Sequence, residues 1–299
     1  MTDTAEIRRK NDRMAGAQPD RKAVDLGEKK LSPEELKALQ QTELSILEEA
    51  DRICRENGIH YNIIAGTLLG ARRHGGFIPW DDDVDIALLR PEYERFRLAC
   101  QNEPPDSLFY FQDICDTDGY RWGYGKLRRK GTLFQRRGQE HMPYAQGICI
   151  DVFPLDHVPE SWLGRQLRGA ECFLLRKTMW AHVGAETDKN AVRRFVFRLM
   201  DALPEKQLRL WYRNLVRRTN RKRTSWVRIL TFPAPNRQQG YRTEWYENSI
   251  GTLFEGRVFP GIREYDAYLT FKFGNWRCLP PEKDRKTHPV TDIRFPQEG

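Results

Sequence analysis

The sequence predicts a protein with an α/β or α+β core, and three observations support this fold class. An amphipathic helix is indicated over residues 32–56. Apolar strand-like runs then alternate with short helical segments between residues 61 and 101. Further strand-like runs follow at 108–113, 121–129 and 147–153. Helix and strand signals that alternate in this way are typical of a sheet packed against helices.

The first predicted helix has clear boundaries. Ser32 is suited to cap its N-terminus, Pro33 fits the first helical position and Glu35 completes a capping box. The pair Asn57-Gly58 ends the helix. Apolar residues recur at helical spacing between these limits: Leu36, Leu39, Leu47, Ala50, Ile53 and Cys54.

The segment after Gly58 alternates between strand and helix. It reads as a short apolar strand (61–65), the pair Gly66-Thr67, and a short helix (68–73). A second strand, DVDIALL (83–89), leads directly into a helix that begins at Pro91. Glycine therefore lies where a strand passes into a helix.

Composition indicates a soluble globular protein. Of the 299 residues, 39% are hydrophobic and 31% charged, and no apolar run is long enough to span a membrane. Residues 1–30 are polar without the apolar centre of a secretory signal, so we expect a disordered leader. The six cysteines are scattered without a CxxC pair, which favours reduced thiols over a disulfide framework or zinc site. We therefore expect a cytoplasmic protein.

Beyond the leader, the chain divides into three regions. Residues 31–160 contain the alternating elements and form the expected core. Residues 161–229 are helical in pattern, with a break near Leu203-Pro204, and residues 230–299 are rich in aromatics, glycine and proline. We expect short strands and ordered loops in this last region, packed on the core.

An acidic cluster runs into an apolar strand. Asp81, Asp82, Asp83 and Asp85 precede Ile86-Ala87-Leu88-Leu89 directly. On a strand, Asp83 and Asp85 would share one face and Val84 and Ile86 the other. Such a carboxylate pair needs a cation, and hard oxygen ligands suit Mg²⁺ or Mn²⁺.

A third carboxylate is available on another strand. Asp151 is the single charge within the apolar run 148–153. An acid in that setting needs a partner, because burying an isolated charge is costly. Asp83, Asp85 and Asp151 together predict a cradle for Mg²⁺, whereas Asp81 and Asp82 could equally cap a strand or a turn.

Two further features are suited to binding a phosphate group. Gly66-Thr67 lies at a predicted helix N-terminus, where backbone N–H groups favour anions and glycine permits a close approach. Lys126, within WGYGKLRRKGTLF, is a candidate cation for the same phosphates, although most lysines only solvate a surface.

The stretch AGTLLGARRHGGFIPWDDDVDIALLRPEYERF closely resembles the signature of the LicD phosphotransferases, a family that includes the fukutin-related proteins. GICIDVFPLDHVP and YGKLRRKGTLF resemble two further blocks, and REYDAYLTFKFGNWRCLPPEKDRKTHPV resembles the closing block. The resemblance spans residues 31–290. It implies a nucleotidyltransferase-type fold, a mixed sheet core flanked by helices, here with a basic helical segment and an irregular C-terminal region.

The resemblance also implies site residues and a reaction. Asp83, Asp85 and Asp151 would bind two Mg²⁺ ions, or Mn²⁺, and Gly66 and Thr67 would bind donor phosphate. Lys126 would offset developing charge, and Asp151 is the candidate general base. Four further residues would orient these groups without binding metal or phosphate themselves: Asp81, Asp82, His74 and His288. The implied reaction moves phosphocholine, or a similar phospho-alcohol, from a CDP-activated donor such as CDP-choline to a hydroxyl of a cell-surface glycan.

The basic segment leaves other functions open. Residues 193–228 hold twelve Lys or Arg against two acidic residues, within a chain whose net charge is +8. These helices either pack on the core with a solvated basic face or contact an anionic membrane surface, which would suit a lipid-linked glycan acceptor and a peripheral location at the inner face of the membrane. Without a recognised motif, we expect no nucleic-acid partner.

Two rival functions account for parts of the sequence. A DxD glycosyltransferase using a nucleotide-sugar predicts a longer nucleotide-binding half before the acidic pair than this chain has. A non-catalytic protein that binds membranes through its basic helices has no need for clustered buried acids. Both are therefore less consistent with the sequence than the phosphotransferase.

Overall fold

The computed structural model describes residues 29–234, 236–285 and 287–296. It confirms the predicted fold class, because a central mixed sheet is flanked by helices. The predicted leader lies outside the described residues except for its last two positions, where the Lys29 N–H donates to the carbonyl of Val290 (2.7 Å).

The central sheet has the strand order β3-β4-β6-β2-β1-β10-β9. Neighbouring strands β2 and β6 are parallel, as are β1 and β10, and the other pairs along this order are antiparallel. Strand β7 pairs with the far end of β6 and with β8, and β5 and β11 form a separate two-stranded sheet. The strands are β1 (Asn62–Ile63), β2 (Asp85–Leu89), β3 (Phe109–Gln112), β4 (Gly125–Arg129), β5 (Leu133–Arg136), β6 (Cys149–His157), β7 (Trp226–Arg228), β8 (Tyr241–Arg242), β9 (Ser249–Phe254), β10 (Arg257–Ile262) and β11 (Val290–Arg294).

Eight α-helices accompany these strands in the described ranges: α1 (Pro33–Glu56), α2 (Ala65–His74), α3 (Arg90–Gln101), α4 (Trp162–Thr187), α5 (Ala191–Asp201), α6 (Glu205–Thr219), α7 (Glu244–Glu247) and α8 (Tyr265–Phe273). Helix α1 begins as predicted, because the Glu35 N–H donates to Ser32 Oγ (3.2 Å) and the Ser32 N–H donates to Glu35 Oε2 (3.0 Å). The predicted break near Leu203-Pro204 is also confirmed, between α5 and α6.

Several predicted boundaries were wrong. Strand β2 begins at Asp85 instead of Asp83, β4 is shorter than the predicted 121–129, and α2 begins at Ala65. The C-terminal region is more regular than predicted, since β9 and β10 form a hairpin that extends the central sheet beside β1. Pro260 and Gly261 lie within β10 and lower its strand signal, so the hairpin was hidden in the sequence.

The six cysteines are all free thiols, as their scattered positions predicted. Within the described ranges, no helix combines the length and apolar character needed to cross a bilayer.

A buried ion pair joins the core to the helical segment. The Arg90 guanidinium, at the start of α3, donates to both carboxylate oxygens of Asp156 near the end of β6 (2.7 and 2.6 Å). Asn220, which follows α6, donates to the same carboxylate (2.6 Å), and Asp156 is fully buried. The pair therefore fixes α3, β6 and the end of α6 relative to one another.

We expect Asp156→Asn to lower the free energy of unfolding by about 3 kcal/mol or more, because it removes the buried counter-ion of Arg90 and leaves only the more distant, partly exposed Glu94 (3.4 Å). Urea denaturation measures the change. Asp266→Asn is the matched control at the exposed Arg277 pair and should cost less than about 1 kcal/mol. Equal losses in the two variants would contradict the structural role given to Asp156.

Candidate active site

The centre of the site is the parallel pairing of β2 with β6. Its register places Asp85 directly opposite Asp151, at the N-terminal ends of both strands. The Asp151 N–H also donates to the carbonyl of Val84 (2.8 Å), so the pairing extends one residue beyond β2. Two acids predicted from separate sequence blocks thus lie side by side on neighbouring strands.

Asp83 lies just before β2, so the expectation that it shares a strand with Asp85 was wrong. Its carboxylate is 3.9 Å from His288 Nδ1 and faces the charge of Arg136 on β5. Burial raises the pKa of Asp83, although His288 and Arg136 oppose this rise. Asp83 nevertheless stays within reach of the same charges as Asp151, since Arg136 faces both acids.

The carboxylates differ in how they are neutralised. Burial would raise the pKa of Asp151, but the Lys126 ammonium and Arg136 outweigh it and hold that pKa below its usual value. Burial and the charges of Asp83 and Asp151 raise the pKa of Asp85 well above its usual value. Asp151 is thus an ion-paired carboxylate, whereas Asp85 lacks sufficient positive charge nearby.

Lys126 is paired with an acid, whereas the sequence analysis expected its charge to meet the donor phosphates. It lies on β4 opposite Asp151, and its ammonium forms a salt bridge with Asp151 Oδ1. It is buried and also lies 3.7 Å from Cys149 Sγ. The pairing of Lys126 with Asp151 across β4 and β6 explains the salt bridge. The Lys126 charge therefore lies at the site, but it is paired with Asp151.

Gly66 and Thr67 occupy the first turn of α2, whereas the sequence analysis placed them just before the helix. Thr67 is buried, and its hydroxyl accepts a hydrogen bond from the Asp85 N–H (2.8 Å), which ties α2 to the start of β2. A Cβ at Gly66 would lie 2.7 Å from Asp81 Oδ2, so glycine lets the Asp81 carboxylate lie close to this turn. N–H groups in a first helical turn have no acceptor within the helix, which makes this turn suitable for an anion.

Asp81 and Asp82 have distinct surroundings. Burial, with Asp83 and Asp82 nearby, raises the pKa of Asp81 to about 8. Asp82 is buried and accepts hydrogen bonds from the backbone N–H (2.8 Å) and Nδ1 (3.0 Å) of His288. His288 therefore contacts the acidic cluster through Asp82, which anchors the C-terminal segment to it.

His74 is not brought into the cluster. Its ring lies edge-on to Trp80 (6.5 Å between centroids) and accepts a long hydrogen bond from Arg73 (3.5 Å). Burial and the charge of Arg73 lower its pKa. His74 ends α2 and is exposed, so its described contacts give it no part in orienting the acids.

The sequence analysis missed three residues of the site. Glu43 of α1 is 1% exposed, and burial, followed by the nearby charge of Asp83, raises its pKa well above normal. Lys272 of α8 faces Asp85, and Arg136 faces Asp83 and Asp151. Glu43 had a signal, because it falls four residues after Leu39 and four before Leu47 on the apolar stripe of α1.

The donor set suits a hard divalent cation only in part. In the described residues, no three His, Cys, Asp or Glu side chains are arranged to hold an ion by themselves. Mg²⁺ is, however, usually bound by one or two carboxylates together with water and substrate phosphate oxygens. The partly exposed carboxylates of Asp83 and Asp85 fit that mode, because they repel each other and lack sufficient counter-charge.

Comparison with known proteins matches residues 58–167 to the LicD/FKTN/FKRP nucleotidyltransferase domain. This chain carries a LicD-family domain. The resemblance stated from the sequence is thereby confirmed for this domain, and residues 58–167 contain every predicted site residue except His288.

Similarity to one relative extends well beyond the LicD domain. The lipopolysaccharide cholinephosphotransferase LicD of Haemophilus influenzae is 27% identical over 258 residues, which cover 83% of this chain and 94% of that protein. An uncharacterized protein of Rickettsia typhi is 40% identical over 52 residues (17% of each chain). One of Rickettsia prowazekii is 43% identical over 47 residues, 16% of this chain and 18% of that protein.

We expect Glu43→Met to raise the free energy of unfolding by about 1 kcal/mol or more, because Glu43 Oε2 has no hydrogen-bond partner among the described residues. The pKa of Glu43 is higher in the folded state than in the unfolded state. The stability contributed by the protonated carboxyl group is therefore fully present below the unfolded-state pKa, and it is lost as pH rises towards the folded-state pKa. The gain in the variant should therefore be larger at pH 8 than at pH 5.

Urea denaturation in the presence of a chelator measures this gain at both pH values. Glu43→Gln keeps a polar group in the same place and should gain less. A large loss of stability in Glu43→Met would contradict the prediction, since it would mean that the native protein satisfies this carboxyl group.

Proposed function

We propose that this protein transfers phosphocholine, or a similar phospho-alcohol group, from a CDP-activated donor to a hydroxyl of a cell-surface glycan, with Mg²⁺ as cofactor. The observation that carries the proposal is the pairing of Asp85 with Asp151 beside the first turn of α2, within a LicD domain. The name of the Haemophilus influenzae relative, a lipopolysaccharide cholinephosphotransferase, supports both the group transferred and the acceptor class.

The acidic cluster would hold the cofactor together with the donor, since the described carboxylates do not form a three-ligand site by themselves. Asp83, Asp85 and Asp151 offer the hard oxygen donors that Mg²⁺ or Mn²⁺ prefers, with donor phosphate oxygens completing the coordination. When bound, two such ions would neutralise the donor pyrophosphate and favour in-line attack. Positive charge placed here would also relieve the repulsion that raises the pKa of Asp85.

The donor phosphates would lie against the first turn of α2. The N–H groups of Gly66 and Thr67 are directed out of the helix start, where the helix dipole favours an anion. The hydroxyl of Thr67 holds the Asp85 backbone, so the same turn sets both the phosphate position and the carboxylate position.

Asp151 would accept the proton of the attacking hydroxyl. Lys126 and Arg136 keep its pKa low, so the carboxylate is ionised at neutral pH and can accept a proton, although the same shift makes it a weaker base than a free aspartate. Lys126 lies beside Asp151 Oδ1. Its positive charge would offset the negative charge that develops on the transferred group. Glycan hydroxyls of lipopolysaccharide, teichoic acid or glycoprotein sugars are acceptors of the required chemistry, and a CDP-activated donor implies a cytoplasmic reaction.

Isothermal titration calorimetry of the full chain tests the proposal. CDP-choline, CDP-ethanolamine, CDP-glycerol, CDP-ribitol and UDP-glucose are titrated with and without Mg²⁺. We expect one CDP-alcohol to bind only with Mg²⁺, and Asp85→Asn to weaken that binding about tenfold or more, because a charge-assisted contact is lost.

Asp118→Asn is the matched control, since Asp118 is fully exposed and contacts only Arg209 in the described structure. It should bind the donor as the wild-type protein does. Magnesium-independent binding, or equal binding by the Asp85 and Asp118 variants, would contradict the proposed function, and binding of UDP-glucose alone would favour a glycosyltransferase.

A further inference from the structure

Helix α5 exposes an apolar stripe to solvent. Val192, Phe195, Val196 and Leu199 recur at helical spacing and are between 42% and 72% exposed. Single exposed apolar side chains are common in soluble proteins, but four on one helix face form a continuous surface that water solvates poorly. We call these four residues the α5 stripe.

The stripe is not the side of α5 that packs on the protein. Phe197, on the opposite side, is buried against Ala181 and Ala185 of α4, and its ring lies over Gly184. Helix α6 differs, because its own apolar stripe, Leu208, Tyr212 and Leu215, is buried in a core cluster. Of the two stripes in the basic segment, α6 therefore uses its stripe for packing, whereas α5 leaves its stripe uncovered in the described structure.

Positive charges border the α5 stripe. Arg193 and Arg198 of α5 are exposed; Arg193 pairs with Asp188 (3.1 Å), whereas Arg198 forms no salt bridge among the described residues. On α4, Lys177 lies between the rings of Phe173 and Phe197 (5.7 and 5.8 Å), which places the exposed Phe173 next to α5. Residues 162–201 hold eight Lys or Arg against four acidic residues.

The hairpin of α4 and α5 is close to the acidic site. A Cβ at Gly138 would lie 2.5 Å from Thr187 Cγ2, and the rings of His141 and His182 are 4.5 Å apart. The segment that makes both contacts directly follows Arg136, which faces Asp151. The end of α4 and the acidic site are therefore joined through a few residues of one loop.

We propose that the α5 stripe and its bordering cations bind the surface of an anionic lipid bilayer, with α5 lying in the plane of the headgroups. A helix with Phe, Leu and Val on one side and arginines beside them is suited to an interface where apolar side chains enter the acyl boundary and cations meet anionic headgroups. A second copy of this chain fits less well, since it would bring the same positive charges together. This inference goes beyond the proposed reaction and does not depend on it.

Vesicle flotation with the full chain tests this surface without any substrate. We expect the protein to float with phosphatidylcholine vesicles that contain phosphatidylglycerol, more weakly with phosphatidylcholine alone, and less as salt rises. The double variant Phe195→Gln, Leu199→Gln should reduce the vesicle-bound to free ratio about tenfold or more, since two inserted side chains are lost.

The matched control is Leu253→Gln, Val258→Gln. These two residues are cross-strand neighbours on the β9–β10 hairpin and are 56% and 66% exposed, close to the 61% of both Phe195 and Leu199. The control should float like the wild-type protein, and thermal unfolding confirms that each variant is folded. Sedimentation velocity should give the same mass for all three proteins.

Three results would overturn the proposal. The first is wild-type protein that binds neither kind of vesicle. The second is equal flotation of the α5 variant and the wild-type protein, which would reduce the contact to charge alone. The third is a wild-type dimer that the α5 variant dissociates, which would make the stripe an interface between copies. Loss of donor binding in calorimetry leaves each of these results unaffected, so the two proposals fail independently.

Discussion

The structure depends on one interaction, the parallel pairing of β2 with β6 that places Asp85 beside Asp151. The Asp85 and Asp151 carboxylates repel each other, and the surroundings supply partial compensation. Lys126 pairs with Asp151, Arg136 faces Asp83 and Asp151, and Lys272 faces Asp85. Burial and the charges of Asp83 and Asp151 together outweigh Lys272 and raise the pKa of Asp85. A fold that keeps such a cluster gains nothing in stability from it, which is why we assign the cluster to binding and catalysis.

The central part of this site was predictable from the sequence because charge inside an apolar run is unusual. That signal identified Asp85 and Asp151, and glycine at a strand-to-helix passage identified Gly66-Thr67. The same signal was present at Glu43 on the buried side of α1. Lys272 and Arg136 had none, because a single cation in an aromatic or basic stretch resembles a surface residue until distant strands and helices are brought together.

Long-range pairing also explains what was missed in the fold. The β9–β10 hairpin joins the sheet beside β1, some two hundred residues earlier in the chain, and Pro260 and Gly261 weaken its local strand pattern. The basic segment shows a related limit. Periodicity marked apolar stripes on both α5 and α6, but only tertiary packing separates the buried stripe of α6 from the exposed stripe of α5. The exposed α5 stripe belongs to the α4–α5 hairpin. The loop that follows Arg136 contacts the end of α4 and so connects this hairpin to the acidic site.

A crystal structure of the complex with Mn²⁺ and a CDP-alcohol tests the central claim most directly, because anomalous scattering locates the metal without assumptions about the reaction. The account predicts Mn²⁺ at about 2.1 Å from carboxylate oxygens of the Asp83, Asp85 and Asp151 cluster, with donor phosphate oxygens completing its coordination and the phosphate lying against the first turn of α2. Donor bound elsewhere, or bound at this turn with no metal at the three carboxylates, would contradict it.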